Sequence, residues 1–317
     1  MIRACAAITL AIVAAALSAG CGAAGEEQSA AHTGGGGALE VVATTNFVAD
    51  TVGEVGGERV AVNALMGPGV DPHLYQASAG DVETLRDAEA IFYVGLFLEG
   101  KMADVLAEMS ERVPSLAVGE AIPTDLLLDP PAGAPDEEEH DPHIWFEPEL
   151  WRHAVLAVRD QLAELDPDGA EEYSANADRL LAEMRDVERY GRDRIGAIPE
   201  RQRVLVTSHD AFRYFGRAFD IDVFGIQGIS TSDEATTADV ERIAELIADR
   251  GVRSVFIESS VPQQTIDAVV AAAADRGHEV EVGGELFSDA AGEEGTPEGT
   301  YVGMLRANID TIGGALR

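Results

Sequence analysis

Leu39-Glu40-Val41-Val42-Ala43-Thr44 leads into Asn46 to Val55, and then into Val60-Ala61-Val62-Asn63-Ala64-Leu65. The first and third stretches are short, apolar and rich in β-branched side chains, which predicts strands, and the segment between them predicts a helix. The alternation continues with a helix near Ala79 to Asp87, a strand at Ala90 to Val94 and a helix across Lys101 to Met109. Strands separated by helices imply a parallel sheet built from βαβ units, whose ligands gather at the carboxyl ends of the strands.

From Asp125 to Asp141 the pattern breaks into Pro130-Pro131, Gly133, Pro135 and the acidic run Asp136-Glu137-Glu138-Glu139-His140. This run is either a cation collector or a solvated loop, and charge runs are usually solvated. Helical patterning resumes at Glu149 to Leu165. A longer helix then opens with Asp166 as N-cap and Pro167 at the first helical position, and runs to about Ile195 before Gly196 and Pro199. At ~1.5 Å per residue it spans on the order of 40 Å, long enough to bridge two lobes.

The alternation then repeats, with strands at Arg203 to Thr207, Val223 to Gly225, Ser254 to Ile257 and Glu279 to Val282, and helices at Thr237 to Gly251 and Pro262 to Arg276. The predicted fold is α/β, with two lobes, each a mostly parallel sheet flanked by helices. The first lobe covers residues 39–165, the linking helix 166–198 and the second lobe 199–317. His209, Glu258 and Asp289 are placed just beyond the strands of one sheet in the second lobe.

Residues 1–20 resemble an export signal. Arg3 supplies a positive start, Ala4 to Leu17 form an apolar stretch too short to span a bilayer, and Leu17-Ser18-Ala19-Gly20-Cys21 closes it. Small residues before a cysteine suit lipoprotein processing, with Cys21 as the lipidated mature N-terminus on the extracytoplasmic face of the cell membrane. The alternative is an ordinary secretory signal with Cys21 a free thiol. Residues 21–38, with Gly34 to Gly37, have the composition of a flexible tether, and His32 reads as a linker histidine. A single mature cysteine makes no internal disulfide, so the fold rests on its core.

Lys plus Arg number 22 against 57 Asp plus Glu, a net charge of −35. Such a balance excludes a basic face for phosphate, and therefore a nucleic-acid role. It favours long-range attraction for cations.

The chemistry lies in a repeated tripeptide. Asp71-Pro72-His73 and Asp141-Pro142-His143 each present an imidazole from a proline-stiffened turn, and Thr207-Ser208-His209-Asp210 offers a third. Neutral imidazoles on separate rigid loops suit a divalent transition metal, and Asp289 in Leu286-Phe287-Ser288-Asp289 is the candidate carboxylate. Asp71, Asp141, Asp210 and Glu258 are candidates to orient imidazole N–H groups. His140 could assist, while His153 and His278 read as structural. Three imidazoles and one carboxylate around Zn²⁺ leave a net charge of about +1. Mn²⁺ accepts the same ligands, but three histidines favour zinc by ligand type.

Thr44-Thr45-Asn46, Gly69-Val70-Asp71-Pro72-His73-Leu74-Tyr75, Asp141-Pro142-His143-Ile144-Trp145, Thr207-Ser208-His209-Asp210-Ala211-Phe212, Phe256-Ile257-Glu258-Ser259-Ser260, Gly284-Glu285-Leu286-Phe287-Ser288-Asp289 and Gly295-Thr296-Pro297-Glu298-Gly299-Thr300-Tyr301 occur in that order. In this the chain resembles the solute-binding lipoproteins of zinc and manganese ABC importers, the TroA-like group, over the whole chain beyond the tether. The resemblance implies that His73, His143, His209 and Asp289 bind one divalent metal in the cleft between the lobes. It also implies a rigid linking helix, with capture by small lobe or loop movements. It further implies a monomer that delivers its ion to a membrane permease powered by a separate ATPase, since the chain has no Walker A sequence. The stretch before the second Asp-Pro-His is histidine-rich in many zinc-dedicated members. Here it offers only His140 and carboxylates, so the ion is open between Zn²⁺ and Mn²⁺.

The competing class is a metal-dependent hydrolase, which would need an open coordination position and a general base. No His-Glu-x-x-His, nucleophile elbow or phosphate-binding glycine loop is present. An adhesin, or a binder of a larger chelate, would want an exposed aromatic or arginine-lined pocket, whereas the histidine cluster argues for a bare ion. The chain is therefore expected to be a binding protein and not an enzyme.

Overall fold

The computed structural model describes residues 37–131, 134–135 and 137–317. The export signal, Cys21, most of the tether and Asp136 of the acidic run lie outside the described residues. Gly37–Arg317 forms one compact unit.

The opening strand β1 (Leu39–Thr45) is buried from Val41 onward, as expected of a central parallel strand covered on both faces. It is followed by α1 (Asn46–Gly56), β2 (Val60–Met66), α2 (Ala79–Asp87), β3 (Ala90–Tyr93), α3 (Ala103–Ser110) and β4 (Ser115–Ala117). The four strands are parallel in the order β2-β1-β3-β4. Helix α2 opens on a capping box: the Ser78 hydroxyl accepts from Asp81 N–H, and the Asp81 carboxylate accepts from Ser78 N–H. Strand β4 was not anticipated, because three residues carry too little pattern.

Helix α4 (Pro148–Leu165) leads to α5 (Ala170–Gly196), 27 residues long, or about 40 Å at ~1.5 Å per residue. Its start differs from expectation. Pro167–Gly169 form a 3-10 turn ahead of α5, and Asp166 caps nothing with its side chain. The Asp166 carboxylate instead accepts from Arg59 Nε and Tyr173 Oη, each at 2.7 Å.

The C-terminal half holds β5 (Val204–Thr207), α6 (Arg213–Phe219), β6 (Asp222–Gly225), α7 (Thr237–Arg250), β7 (Ser254–Glu258), α8 (Gln264–Asp275), β8 (Glu281–Leu286) and α9 (Tyr301–Ala315). The strands pair as two separate parallel ribbons, β5-β6 and β7-β8, and not as one hydrogen-bonded sheet. Strand β8 also runs later and longer than Glu279 to Val282. Gly283-Gly284 carries the pairing through a register shift opposite Val255/Phe256. Gly284 sits at φ 148, and a Cβ at Gly283 would meet the Ala315 Cβ at 2.8 Å, so bare backbone is required there. Helices α6 and α9 were not anticipated.

The core is shared between the halves. The largest apolar cluster joins Phe47, Trp145 and Trp151 from the first half to Tyr173 and Leu180 of α5, and on to Phe212, Leu286, Tyr301 and Ile309 of the second. Each such fully buried side chain contributes about 1.5–3 kcal/mol relative to exposure. Smaller clusters lie outside this one, around Val206 and Ile247 in the second half and around Ile91 and Met102 in the first. Separating the halves would open the shared cluster, so the fold resists a wide hinge. No helix among the described residues is long and apolar enough to cross a membrane.

Candidate metal centre

The two Asp-Pro-His turns are built alike. Pro fixes the middle of each, and the Asp side chain turns back to accept from the His backbone N–H, at 2.9 Å for Asp71 Oδ1 and 3.1 Å for Asp141 Oδ1. The first turn follows β2 and the second precedes α4. In the second copy the same oxygen, Asp141 Oδ1, also takes the ring Nδ1 of His143 at 2.8 Å. In the first copy the other oxygen, Asp71 Oδ2, accepts from Thr231 Oγ1 at 2.6 Å, and no imidazole contact is made.

His209 stands two residues beyond β5. Its backbone N–H donates to Glu258 Oε1 at 2.9 Å and its Nδ1 lies 2.5 Å from Glu258 Oε2. Glu258 is the last residue of β7. Asp289 stands three residues beyond β8, where Ser260 Oγ donates to its Oδ2 at 3.2 Å.

The structure brings His73, His143, His209 and Asp289 together, one donor atom from each lying within 4.8 Å of the others. His143 Nε2 and His209 Nε2 face each other at 3.3 Å. Asp289 approaches both, at 3.5 Å from His143 Nε2 and 3.3 Å from His209 Nε2. All four are buried, His73 being 4% exposed, Asp289 1% and the other two 0%. His73 Nε2 and Asp289 Oδ1 have no hydrogen-bond partner. With Nδ1 of His143 and His209 engaged by carboxylates, their Nε2 lone pairs converge with a carboxylate on one point. Such a concentration of acceptors requires a proton or a metal ion.

The electrostatics divide the cluster. Burial lowers the pKa of His73 to about 3 against the weaker opposing pull of Asp289. Burial also works against His209, but Glu258 and Asp289 outweigh it and hold its pKa well above the ordinary histidine value. For Asp289 burial would raise the pKa, yet His209 with the other two histidines keeps it well below the usual carboxylate range.

Of the candidate orienting carboxylates, Asp141 and Glu258 engage imidazoles and Asp71 and Asp210 do not. Arg213 comes within 3.9 Å of the Asp210 carboxylate, and burial, aided by Asp141, pushes the Asp210 pKa up to about 6. His140, His153 and His278 stay outside the cluster, and His278 Nε2 bonds the Val252 carbonyl at 2.6 Å. In the acidic run Glu137 and Glu139 are exposed but Glu138 is buried, so the solvated-loop reading holds for only part of it.

Several supporting residues escaped sequence reasoning. Asn46, at the start of α1, donates to the Ala291 carbonyl and accepts its N–H, at 2.9 and 2.8 Å. Asn308 of α9 clamps Phe287 in the same way, at 2.7 and 2.9 Å. Together they brace the Asp289 loop from both sides. Trp145 Nε1 donates to the Ser288 carbonyl at 3.1 Å, and Arg213 Nη1 reaches Asp141 Oδ2 at 3.3 Å. The only signal for Asn46 was its place in the recognised Thr-Thr-Asn string.

A cavity of about 470 Å³ beside the β6–α7 loop is lined by none of the four central side chains. The chemistry argues for a smaller one of about 80 Å³, lined by His73, Phe97, Gly100, Lys101, Ser230 and Ser232. That volume suits a partly hydrated ion, since a water occupies about 30 Å³.

Residues 41–315 match the family described as zinc-uptake complex component A, periplasmic. The manganese-binding lipoprotein MntA of Bacillus subtilis is 46% identical over 279 residues, 88% of this chain and 90% of its own. The zinc-binding protein TroA of Treponema pallidum is 45% identical over 276 residues, 87% of this chain and 88% of its own. The solved structure of the periplasmic zinc-binding protein TroA from Treponema pallidum superimposes with a TM-score of 0.85 at 44% identity, covering 88% of this chain and 99% of that one.

Proposed function

This chain belongs to the family of zinc-uptake component A, and from that premise we propose that it captures one divalent transition-metal ion outside the membrane for an ABC importer. His73 and His143 hold the ion from the first lobe, residues 39–165, and His209 and Asp289 complete the shell from the second, residues 199–317. The segment 166–198 links the two. The ion passes to a membrane permease whose transport is driven by a separate ATPase, and residues 1–20 are removed to leave Cys21 as the lipid anchor. The mass of the mature N-terminus tests the anchor, since diacylglyceryl on Cys21 is expected and an unmodified thiol there would remove it.

One observation carries the reading: four buried donor groups converge on one point, two of them with their other ring nitrogen tied to a carboxylate. Four protein ligands form a closed shell, which suits holding an ion better than activating water. Three imidazoles favour Zn²⁺. Mn²⁺ is the second reading, supported by the name of the 46% identical Bacillus subtilis relative.

Competitive titration of Zn²⁺ against Mn²⁺ on the full chain, with His209→Ala as control, tests both. One-to-one binding that the control loses is expected, with Zn²⁺ displacing Mn²⁺. Absence of tight binding by either ion would overturn the reading, and preference for Mn²⁺ would replace its cargo.

A further inference from the structure

Of the four central side chains His73 is the most exposed, at 4%, and it lines the cavity of about 80 Å³, so an ion reaches or leaves the centre past His73. One wall of that mouth is Phe97, Gly100 and Lys101, and the other is Ser230 and Ser232, in the loop that joins β6 to α7.

That loop touches both sides of the centre. Its base is tied to the His209 segment by backbone bonds, Gln227 N–H to the Ser208 carbonyl and Asp210 N–H to the Gly228 carbonyl, each at 3.0 Å. Its tip carries Thr231, 8% exposed between the two mouth serines. The Thr231 hydroxyl donates across to Asp71 Oδ2 at 2.6 Å. Among the described residues this is the only side-chain hydrogen bond from the loop to the first half. Asp71 uses its other oxygen to accept from His73 N–H at 2.9 Å. One carboxylate therefore ties the His73 turn to the far wall of the mouth.

Resting on the metal-capture reading, we infer that Thr231 and Asp71 form a latch across the mouth, which must open before the ion can leave. The shared core opposes separation of the halves, so release has to proceed by local movement, and the Thr231–Asp71 bond is the restraint on that movement. A hydroxyl-to-carboxylate hydrogen bond is a strong one. Thr231 is a positioning residue: it touches no ligand atom and acts through Asp71 on the loop that presents His73.

The test is the rate of Zn²⁺ release from the full chain into excess chelator, followed by stopped flow. Thr231→Val keeps the shape and removes the hydroxyl, and should release Zn²⁺ about tenfold faster, the scale of one charge-assisted hydrogen bond. Thr231→Ala adds no volume and should do the same, while Thr231→Ser restores the hydroxyl and should release at nearly the wild-type rate. The absorption spectrum of the Co²⁺-loaded protein should be unchanged in all three, because the four ligands stay in place. Wild-type release rates in Thr231→Val and Thr231→Ala would overturn the latch. So would a fast Thr231→Ser, or an altered Co²⁺ spectrum, which would mean that Thr231 shapes the ligand set itself. If the wild-type chain bound no metal, the capture reading would fall first and the latch with it. A wild type that binds tightly while its variants release no faster would sink the latch alone.

Discussion

His73 and His209 are the same side chain at nearly the same burial, yet they sit on opposite sides of neutrality. His73 has no carboxylate within ion-pair distance among the described residues, and burial lowers its pKa to about 3. His209 lies 2.5 Å from one carboxylate and 3.3 Å from another, and these hold it protonated in spite of burial. The difference comes from what stands behind each ring, since desolvation acts on both alike. A metal arriving at this centre finds one imidazole ready to ligate and another that must first lose its proton.

The contrast predicts unequal effects from two matched substitutions. Glu258 serves His209 with both oxygens, one for the backbone N–H and one for the ring. In Glu258→Gln one of those oxygens becomes an NH₂ group, which meets either an N–H or the ring nitrogen as a donor. The second case would move the ring proton to Nε2 and block ligation. Zn²⁺ affinity should fall about 10–100-fold, the scale expected for partners that orient metal-bound histidines. Asp141 serves His143 with Oδ1 alone, so Asp141→Asn can keep that oxygen in place with its NH₂ where Oδ2 stood, losing the contact from Arg213, whose guanidinium still holds the Asp129 carbonyl. Its loss should be only a few-fold, below the range for a lost orienting partner. Chelator competition on the two variants decides the matter, and equal losses would break the distinction between the two sides.

What could be read in advance follows the same line between local and distant. The Asp-Pro-His turns were legible because Pro fixes its own backbone and that of the residue before it, and α2 was legible from the local alternation of strand and helix patterns. The four central side chains were found because the Asp-Pro-His tripeptide repeats around His73 and His143, because His209 and Asp289 follow predicted strands, and because the four stand in the order of a known family. Thr231, Asn46 and Asn308 were not found. Their partners lie 160, 245 and 21 positions away, and a Thr or Asn in a polar stretch carries no mark of a distant partner. The shared core was hidden for a related reason: periodicity on α5 reveals an apolar face but not that it joins both halves. The splitting of the second sheet and the glycine-borne pairing of β8 depend on cross-strand geometry that a single strand does not contain.

The pH dependence of binding sharpens the comparison between the two histidines. Ligation needs neutral imidazole, so each group that is protonated in the metal-free protein adds one proton to be displaced. His73, with its pKa at about 3, is already neutral near pH 6 and adds nothing. Asp289, held well below the usual carboxylate range, is ionised and adds nothing either. His209 retains its proton to well above the ordinary value of 6.5. Affinity for Zn²⁺ should therefore rise by about tenfold per pH unit as pH increases, through 6.5 and beyond, and level off only above the raised pKa of His209. Glu258 is the larger of the two charges that raise this pKa, so in Glu258→Gln the levelling should begin at lower pH. Isothermal titration at constant ionic strength in buffers of different ionisation enthalpy would count the protons released directly. One proton near pH 7 is the expected number, and none would mean that His209 stands neutral like His73.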